Sequence, residues 1–139
     1  MDPIEVAVRS LRTHDRSRAE IEERLAKAGV AEHDRPEALD RLESLGYVDD
    51  GRLATSRAAA LAGRGQGDAA IRFDLRGRGI AEDAIETAVA ELPPEAERAV
   101  RLAEQLGRTP KTAARLRRKG FGADALEAAF GEGIAGAGT

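Results

Sequence analysis

The chain has 139 residues and a formal net charge of −3, from 22 lysines and arginines against 25 aspartates and glutamates. This length predicts one domain or a row of small units, and the charge disfavours a protein that coats nucleic acid with its whole surface. The absence of cysteine excludes disulfides and thiolate metal sites, and an aromatic content of only 3% predicts a core of aliphatic side chains.

Helix start signals are found from the first residues onward. Asp2 and Thr109 each precede a proline, which places a capping acceptor just before a residue suited to the first helical position. Ser17, with Glu20 three residues later, has the spacing of a capping box. No segment shows the alternation and the β-branched enrichment of a strand. The sequence therefore predicts an all-α fold.

The middle of the chain, residues 46–80, predicts two helices with defined ends. Gly46 is expected to close the preceding helix, because glycine adopts the left-handed conformation without a steric cost. Asp49 or Asp50 is expected to cap the alanine-rich helix that follows. A glycine-broken basic turn comes next, and the second helix is expected to end at Gly79 as the earlier one does at Gly46.

One pattern occurs three times: a leucine, then a glycine four residues later, then an apolar residue. The glycines are Gly29, Gly79 and Gly120, so the spacing is 50 residues and then 41. Periods of this size are typical of stacked helical units. We therefore expect a tandem array of three three-helix repeats, elongated or curved. The predicted ranges are 1–46 for the first repeat, 47–92 for the linking motif and second repeat, 93–130 for the third repeat, and 131–139 for a flexible glycine-rich tail.

The sequence does not indicate a catalytic or metal site. His14 and His33 have no second histidine or carboxylate at ligand spacing, and helix capping accounts for Asp49 and Asp50. The glycine-broken turn lacks the preceding strand and the lysine of a phosphate-binding loop. We expect no catalysis, no metal and no cofactor. The chain also lacks a signal-peptide core and an apolar run long enough to cross a membrane, so we expect a cytoplasmic protein.

Charge is distributed unevenly along the chain. Residues 1–50 carry 8 basic and 13 acidic side chains, whereas residues 93–139 carry 8 basic and 6 acidic ones. Between Arg108 and Lys119 there are six cations and no acid. Helical spacing predicts a cationic face of four residues, although a merely solvated helix face is the alternative. This face carries Arg108, Lys111, Arg115 and Arg118, and a weaker set in the middle unit contains Arg64, Arg72, Arg76 and Arg78.

This combination of motifs resembles the RecX family of bacterial recombination regulators. The resemblance covers essentially the whole chain short of its glycine tail, and the central block of fixed spacing is its most specific part. It also includes Ser17, Glu20, Ile21 and Leu25 in the first unit and residues 117–121 in the last. The central residues are Gly46, Tyr47, Val48, Asp49, Asp50 and Arg52, followed by Arg64, Gly65, Gly67, Ile71, Leu75, Gly79 and Ile80.

The resemblance implies a modular array of three-helix units that binds the filament of the RecA recombinase. Family members modulate RecA in DNA repair, mostly by inhibiting strand exchange and ATP hydrolysis, and they are not enzymes. We accordingly expect a monomer whose partner is the RecA nucleoprotein filament, with weak DNA contact at most. The candidate residues facing RecA or its DNA are Arg64, Arg72, Arg76, Arg108, Lys111, Arg115 and Arg118.

Two other functions remain open at this point. A direct DNA-binding protein is one, because three-helix units can place a recognition helix in a groove of the duplex. The sequence disfavours base-specific readout, since it has no asparagine and only Gln66 and Gln105 as glutamines. A helical interaction module with a different partner is the other.

Overall fold

A computed structural model describes residues 2–12, 14–131 and 133. Within these residues the secondary structure is entirely helical, with nine α-helices and one 3-10 helix, which confirms the all-α prediction. In chain order the elements are α1 (Pro3–Leu11), α2 (Arg18–Lys27), the 3-10 helix (Glu32–Asp34), α3 (Arg35–Ser44), α4 (Asp50–Gly63), α5 (Asp68–Gly77), α6 (Glu82–Ala90), α7 (Glu95–Leu106), α8 (Pro110–Arg118) and α9 (Ala123–Phe130).

The predicted capping residues begin their helices as expected. The carboxylate of Asp2 accepts a hydrogen bond from the amide of Ile4 at 3.0 Å, at the start of α1. The hydroxyl of Ser17 accepts from the amide of Glu20 at 3.1 Å, and the Glu20 carboxylate accepts from the amide of Ser17 at 2.9 Å. These reciprocal bonds form the capping box of α2 and occupy amides that have no partner inside the helix.

The repeated glycines end the second helix of each repeat. Gly29, Gly79 and Gly120 have φ angles of 89°, 76° and 99°, in the left-handed region that glycine tolerates. In each copy the amide of the next residue donates to the carbonyl of the repeated leucine, which confirms the predicted helix stop. These bonds are Val30 to Leu25 at 2.9 Å, Ile80 to Leu75 at 3.3 Å and Phe121 to Leu116 at 3.1 Å.

Buried side chains form three separate clusters, one for each set of three helices. The described chain is thus a tandem array of three three-helix repeats, as the sequence predicts. The chain passes from the first core to the second between Val48 and Leu53. The predicted repeat boundaries stay predictions, and most of the predicted tail at 131–139 lies outside the described residues. The clusters include Ile21, Leu25 and Leu42 in the first repeat, Ile71, Leu75 and Ile85 in the second, and Leu116, Leu126 and Phe130 in the third.

The second helices of the three repeats meet end to end. At the end of α5, the carbonyl of Arg78 accepts a hydrogen bond of 2.5 Å from the hydroxyl of Ser17, at the start of α2. At the end of α8, the carbonyl of Lys119 accepts a bond of 2.9 Å from the amide of Gly67, at the start of α5. The amide of Ala69 likewise donates to the carbonyl of Gly120 at 3.2 Å. Backbone carbonyls at the C-terminal ends of α5 and α8 therefore accept hydrogen bonds from the N-terminal ends of α2 and α5, respectively.

A carboxylate at the start of each following repeat completes the same junctions. Asp50, the first residue of α4, accepts a hydrogen bond of 2.8 Å from the amide of Arg18. Glu95, the first residue of α7, accepts one of 2.7 Å from the amide of Asp68. Of the two aspartates predicted to cap α4, Asp49 performs that role, whereas Asp50 caps a helix of the preceding repeat. Partial burial raises the pKa of the Asp50 carboxyl above its ordinary value.

Candidate functional site

The first half of the family motif forms the connection between the first and second repeats. Gly46 has a φ of 81° and ends α3, and the amide of Tyr47 donates to the carbonyl of Leu42 at 2.9 Å. Asp49 accepts from the amide of Arg52 at 3.0 Å, which starts α4. The Arg52 guanidinium donates a hydrogen bond of 3.2 Å to the carbonyl of Gly46, so the last residue of this part of the motif is bonded to the first.

The second half of the motif builds the middle repeat and its junctions. Ile71 and Leu75 are fully buried in the second core, and Ile80 packs beside them. Gly67 lies so close to the third repeat that a Cβ atom there would be 2.4 Å from the backbone carbon of Gly120. These positions have structural roles in the fold.

The glycine-broken turn between α4 and α5 has no free amide to offer a phosphate. The amide of Gly65 donates to Ala62 at 3.0 Å, and that of Gln66 donates to Leu61 at 3.1 Å. The amide of Gly67 donates to the third repeat, as described above. A backbone anion site requires several unpaired amides that point to one place. The turn therefore acts as the tight connection that its glycines predict.

Of the three residues of the middle repeat that were expected to face RecA or its DNA, two form ion pairs with α6. The guanidinium of Arg72 donates to both carboxylate oxygens of Glu86 at 2.9 and 3.1 Å, and that of Arg76 donates to Glu82 at 2.5 and 3.0 Å. The hydrogen bond from Arg76 lowers the pKa of the Glu82 carboxyl. Their charge is largely neutralised locally. Arg64 is exposed and has no hydrogen bond or ion pair from its side chain to the described residues.

The cationic surface of the third repeat consists of Lys111, Arg115 and Arg118 on α8. All three are exposed, and none of their side chains forms an ion pair or hydrogen bond within residues 2–12, 14–131 and 133. Their spacing of four and then three residues places them along one stripe of the helix. This stripe, which we call the α8 stripe, is a group of predicted cations that the structure brings together without neutralising them.

The prediction that Arg108 lies on the same helical face is wrong. Thr109 caps α8, so Arg108 precedes the helix and the helical spacing does not apply to it. Its guanidinium donates to the carbonyl of Ala129 at 3.2 Å and lies 3.8 Å from the Glu104 carboxylate. The helical spacing was extended past the start of the helix, although the pair Thr109 and Pro110 already marks that start in the sequence.

Arg64 and Arg115 come from different repeats and meet at one groove of about 220 Å³. Lys119 also lines this groove, and Leu102 and Leu106 of α7 form its apolar side. Leu106 is 45% exposed. Sequence reasoning included Lys119 in the cation run but missed Leu106, which carries no signal because an apolar residue on a helix is expected to be buried.

A buried arginine at the junction of the second and third repeats was also missed. The Arg98 guanidinium donates to the Asp68 carboxylate at 2.7 Å and to the carbonyl of Gln66 at 2.9 Å. It also lies 5.7 Å from the centroid of the Phe121 ring, a distance at which a cation is attracted to the ring face. Arg98 lies on α7, the first helix of the third repeat, and thereby contacts residues of both the second and the third repeat.

An ion-pair network lies at the junction of the first and second repeats. Arg57 donates to both carboxylate oxygens of Asp74 at 3.1 and 3.0 Å, and Arg78 donates to Asp74 at 3.3 Å and to Glu20 at 3.4 Å. The hydrogen bonds from Arg57 are the main reason why the pKa of the Asp74 carboxyl is lowered. The network joins α4 and α5 to the capping box of α2.

Across the described ranges, no group of three or more histidine, aspartate or glutamate side chains is arranged to hold a metal ion. His33 lies 3.4 Å from Asp34 on an exposed surface. In the same part of the chain, no helix has the length and apolar character needed to cross a membrane.

Comparison with known proteins relates the chain to regulatory proteins of one family. Residues 49–89 match the family model described as RecX, second three-helix domain. The regulatory protein RecX of Mycobacterium leprae (strain Br4923) is 38% identical over 118 residues, which are 82% of this chain and 63% of that protein. The regulatory protein RecX of Mycolicibacterium smegmatis (strain ATCC 700084 / mc(2)155) is 38% identical over 105 residues, 74% of this chain and 54% of that protein. The chain thus spans between half and two thirds of the length of these curated relatives.

Solved structures show the same architecture. The crystal structure of RecX from Lactobacillus salivarius superposes with a TM-score of 0.78 at 23% identity, covering 90% of each chain. A second crystal structure, of a regulatory protein RecX, gives a TM-score of 0.75 at 25% identity and covers 90% of this chain and 69% of that one. The first of these is a likeness of fold alone.

Proposed function

The chain belongs to the RecX family, and on that premise we propose that it is a non-enzymatic regulator that binds the RecA nucleoprotein filament and inhibits recombination. It changes the rate at which RecA hydrolyses ATP and does not hydrolyse ATP itself. It needs no cofactor, and it acts as a monomer in the cytoplasm, where the DNA is.

The observation that supports this proposal best is the α8 stripe. Three exposed cations without a partner among the described residues lie together in a chain whose net charge is −3. A filament built on DNA presents phosphates, and each phosphate that a cation neutralises releases a counterion. We propose that Lys111, Arg115 and Arg118 face the filament and that Arg64 lies beside them. Arg72 and Arg76 contribute less, because Glu86 and Glu82 already pair with them.

The bonded junctions support a role for the whole array. Each repeat is joined to the next by hydrogen bonds to helix ends, so the three units present their surfaces in a fixed order. A rigid array lying in the helical groove of the filament contacts neighbouring RecA subunits at once, and several contacts together bind more tightly than each alone. Inhibition follows if such an array holds subunits in one arrangement.

Co-sedimentation with preformed RecA filaments on single-stranded DNA, over a salt series, tests the proposal. The triple variant Lys111→Gln, Arg115→Gln and Arg118→Gln is expected to bind less and to show a flatter dependence on salt, by about 0.7 of a logarithmic unit for each lost phosphate contact. Its helicity is expected to stay the same, since glutamine is nearly as good a helix former as arginine. The ATPase rate of RecA is measured in parallel.

A matched control removes the same number of charges elsewhere. Arg12, Arg24 and Arg41 are exposed cations of the first repeat without an ion pair to the described residues. Their triple replacement by glutamine is expected to weaken filament binding less than the α8 triple variant does. Equal losses would assign the effect to net charge rather than to the α8 stripe.

Direct binding to naked DNA is the second candidate, and the same exposed cations of α8 favour it. The second helix of the middle repeat, α5, corresponds to α8 and argues against this function, because its Arg72 and Arg76 are paired with carboxylates. Naked duplex in place of filament separates the two functions. Strong duplex binding that the α8 triple variant abolishes would favour the DNA-binding function, whereas we expect weak duplex binding from the start.

A further inference from the structure

The groove between the second and third repeats combines charge with an apolar surface. Arg64, at the end of α4, and Arg115 and Lys119, at the end of α8, supply three cations, whereas none of the described residues that line it is acidic. Leu102 and Leu106 supply the apolar side, and Leu106 is 45% exposed. The three cationic side chains have no hydrogen bond or ion pair to any residue that the structure describes. We call this the junction groove.

We infer that the junction groove is a docking site for an acidic peptide segment that carries one apolar side chain. The apolar side chain lies against Leu102 and Leu106, and carboxylates on either side of it pair with Arg64, Arg115 and Lys119. Guanidinium and ammonium groups form their strongest hydrogen bonds with such anions. An apolar anchor surrounded by polar contacts is the usual centre of a protein–protein contact. The inference goes beyond the proposed function, because it applies to an acidic segment of any partner.

The size of the groove favours a side chain over a small molecule. Its volume of about 220 Å³ is below the roughly 300–1,000 Å³ of typical small-molecule sites. One large side chain of a peptide fits a space of this order, and the rest of the peptide then lies outside on the surface.

The composition of the groove favours a protein segment over nucleic acid. Single-stranded nucleic acid is bound on aromatic side chains that stack with bases, and the described residues that line this groove include no aromatic one. Backbone amides that would hold a phosphate are absent, since the amides of Gly65, Gln66 and Gly67 are all hydrogen-bonded. An exposed leucine beside the cations adds nothing to phosphate binding but does favour an apolar side chain.

The positions of the cations at helix ends do not by themselves account for the groove. Cations near the end of a helix are favoured by its dipole, and this applies to Arg64, which directly follows α4, and to Arg115 in the last turn of α8. The dipole gives no reason for Leu106 to stay exposed beside them. Burial of that side chain by an anchor from a partner does give one.

Fluorescence anisotropy with a labelled acidic peptide tests the inference. The probe is a fluorescein-labelled hexapeptide of one leucine flanked by glutamates, and the controls are the same peptide with glycine for leucine and with glutamines for glutamates. The first probe is expected to bind, and each control at least about threefold more weakly, because both the apolar contact and the charges contribute. Salt is expected to weaken the binding of the first probe.

Two variants with matched controls assign the binding to the groove. Leu106→Ser and Arg115→Gln are each expected to weaken binding of the leucine peptide about threefold to fivefold. Leu45→Ser is the control for Leu106, since Leu45 is 56% exposed in the first repeat, and Arg118→Gln is the control for Arg115, since Arg118 does not line the groove. Both controls are expected to bind as the parent does.

Three outcomes would overturn the inference. The first is an absence of binding up to about 1 mM peptide. The second is equal binding of the leucine and glycine peptides, which would leave only a nonspecific charge effect. The third is displacement of the peptide by a single-stranded oligonucleotide, if Leu106→Ser weakens binding of the oligonucleotide as much as it weakens binding of the peptide. That result would make the groove a nucleic-acid site. If the protein still co-sediments with the filament in any of these cases, the proposed function stands. If it binds the peptide but does not co-sediment with the filament, only the proposed function is contradicted.

Discussion

Replacing Gly79 by alanine probes the contact between the end of α5 and the start of α2. The backbone of Gly79 has a φ of 76°, so any side chain there is strained. A Cβ atom at Gly79 would also lie 2.6 Å from the Cβ of Ala19 in the first repeat. Gly29 is its counterpart, since it ends α2 with a φ of 89°, but beyond its local backbone no atom of the described residues lies within 4 Å of its Cβ position. The two glycines therefore differ in the junction contact and hardly in backbone conformation.

The expected loss of stability follows from these two terms. The left-handed conformation costs an alanine roughly 1–2 kcal/mol, and this term applies to Gly29→Ala and Gly79→Ala alike. The short contact with Ala19 adds the cost of overpacking, about 1–3 kcal/mol. We expect Gly79→Ala to lower the free energy of unfolding by about 2–5 kcal/mol and Gly29→Ala by about 1–2 kcal/mol.

Urea unfolding followed by far-UV circular dichroism measures both losses, and thermal unfolding repeats the comparison. A double-mutant cycle with Ala19→Gly isolates the contact, because removing the Ala19 methyl group relieves the overlap at Gly79 but not the backbone strain. The double variant is expected to be more stable than the sum of its single variants indicates. Equal losses for the two glycine variants, or a coupling free energy of zero, would refute the close junction.

Three further expectations concern charged groups at the junctions. Because the folded state lowers the pKa of Asp74, its pairing with Arg57 stabilises the protein above the ordinary carboxyl pKa of about 4 and loses this effect as the pH falls through the lowered value; urea titrations between about pH 5 and pH 2 should thus show a shallower loss in Asp74→Asn than in the parent. Glu95→Ala is expected to cost about 1–2 kcal/mol and to speed hydrogen exchange at the amide of Asp68, which it leaves uncapped; unchanged exchange would contradict this. Arg98→Met is expected to cost about 3 kcal/mol in urea unfolding, since it leaves the Asp68 carboxylate unpaired, and adding Asp68→Asn should recover part of the loss; a double variant no more stable than Arg98→Met would argue against the pair.

The local features of the fold could be predicted because their causes lie within one helical turn. The glycine stops at Gly29, Gly79 and Gly120 depend on the left-handed backbone and on a leucine four residues before the glycine. The cap at Ser17 depends on Glu20 three residues later. Signals of this kind are complete in the sequence itself, so the number of repeats and the ends of their second helices followed from it.

Features that depend on which helices pack together could not be predicted. Asp50 caps a helix 32 residues earlier in the chain, and nothing next to Asp50 in the sequence names Arg18 as its partner. Arg72 and Arg76 belong to the predicted cationic set, but α6 places Glu86 and Glu82 against them. The junction groove, likewise, exists only because the second and third repeats meet beside Leu106.

The end-to-end contact of the second helices has a consequence for synthesis of the chain. The start of α2 receives the carbonyl of Arg78 and the carboxylate of Asp50, and the start of α5 receives the carbonyl of Lys119 and the carboxylate of Glu95. Every one of these partners is made later by the ribosome than the helix that it completes. Proteins are synthesised from the N-terminus, and earlier units commonly fold first. In this chain, the second helix of each earlier repeat acquires these hydrogen bonds only when the following repeat has emerged and folded. Each repeat therefore stabilises the one that was synthesised before it.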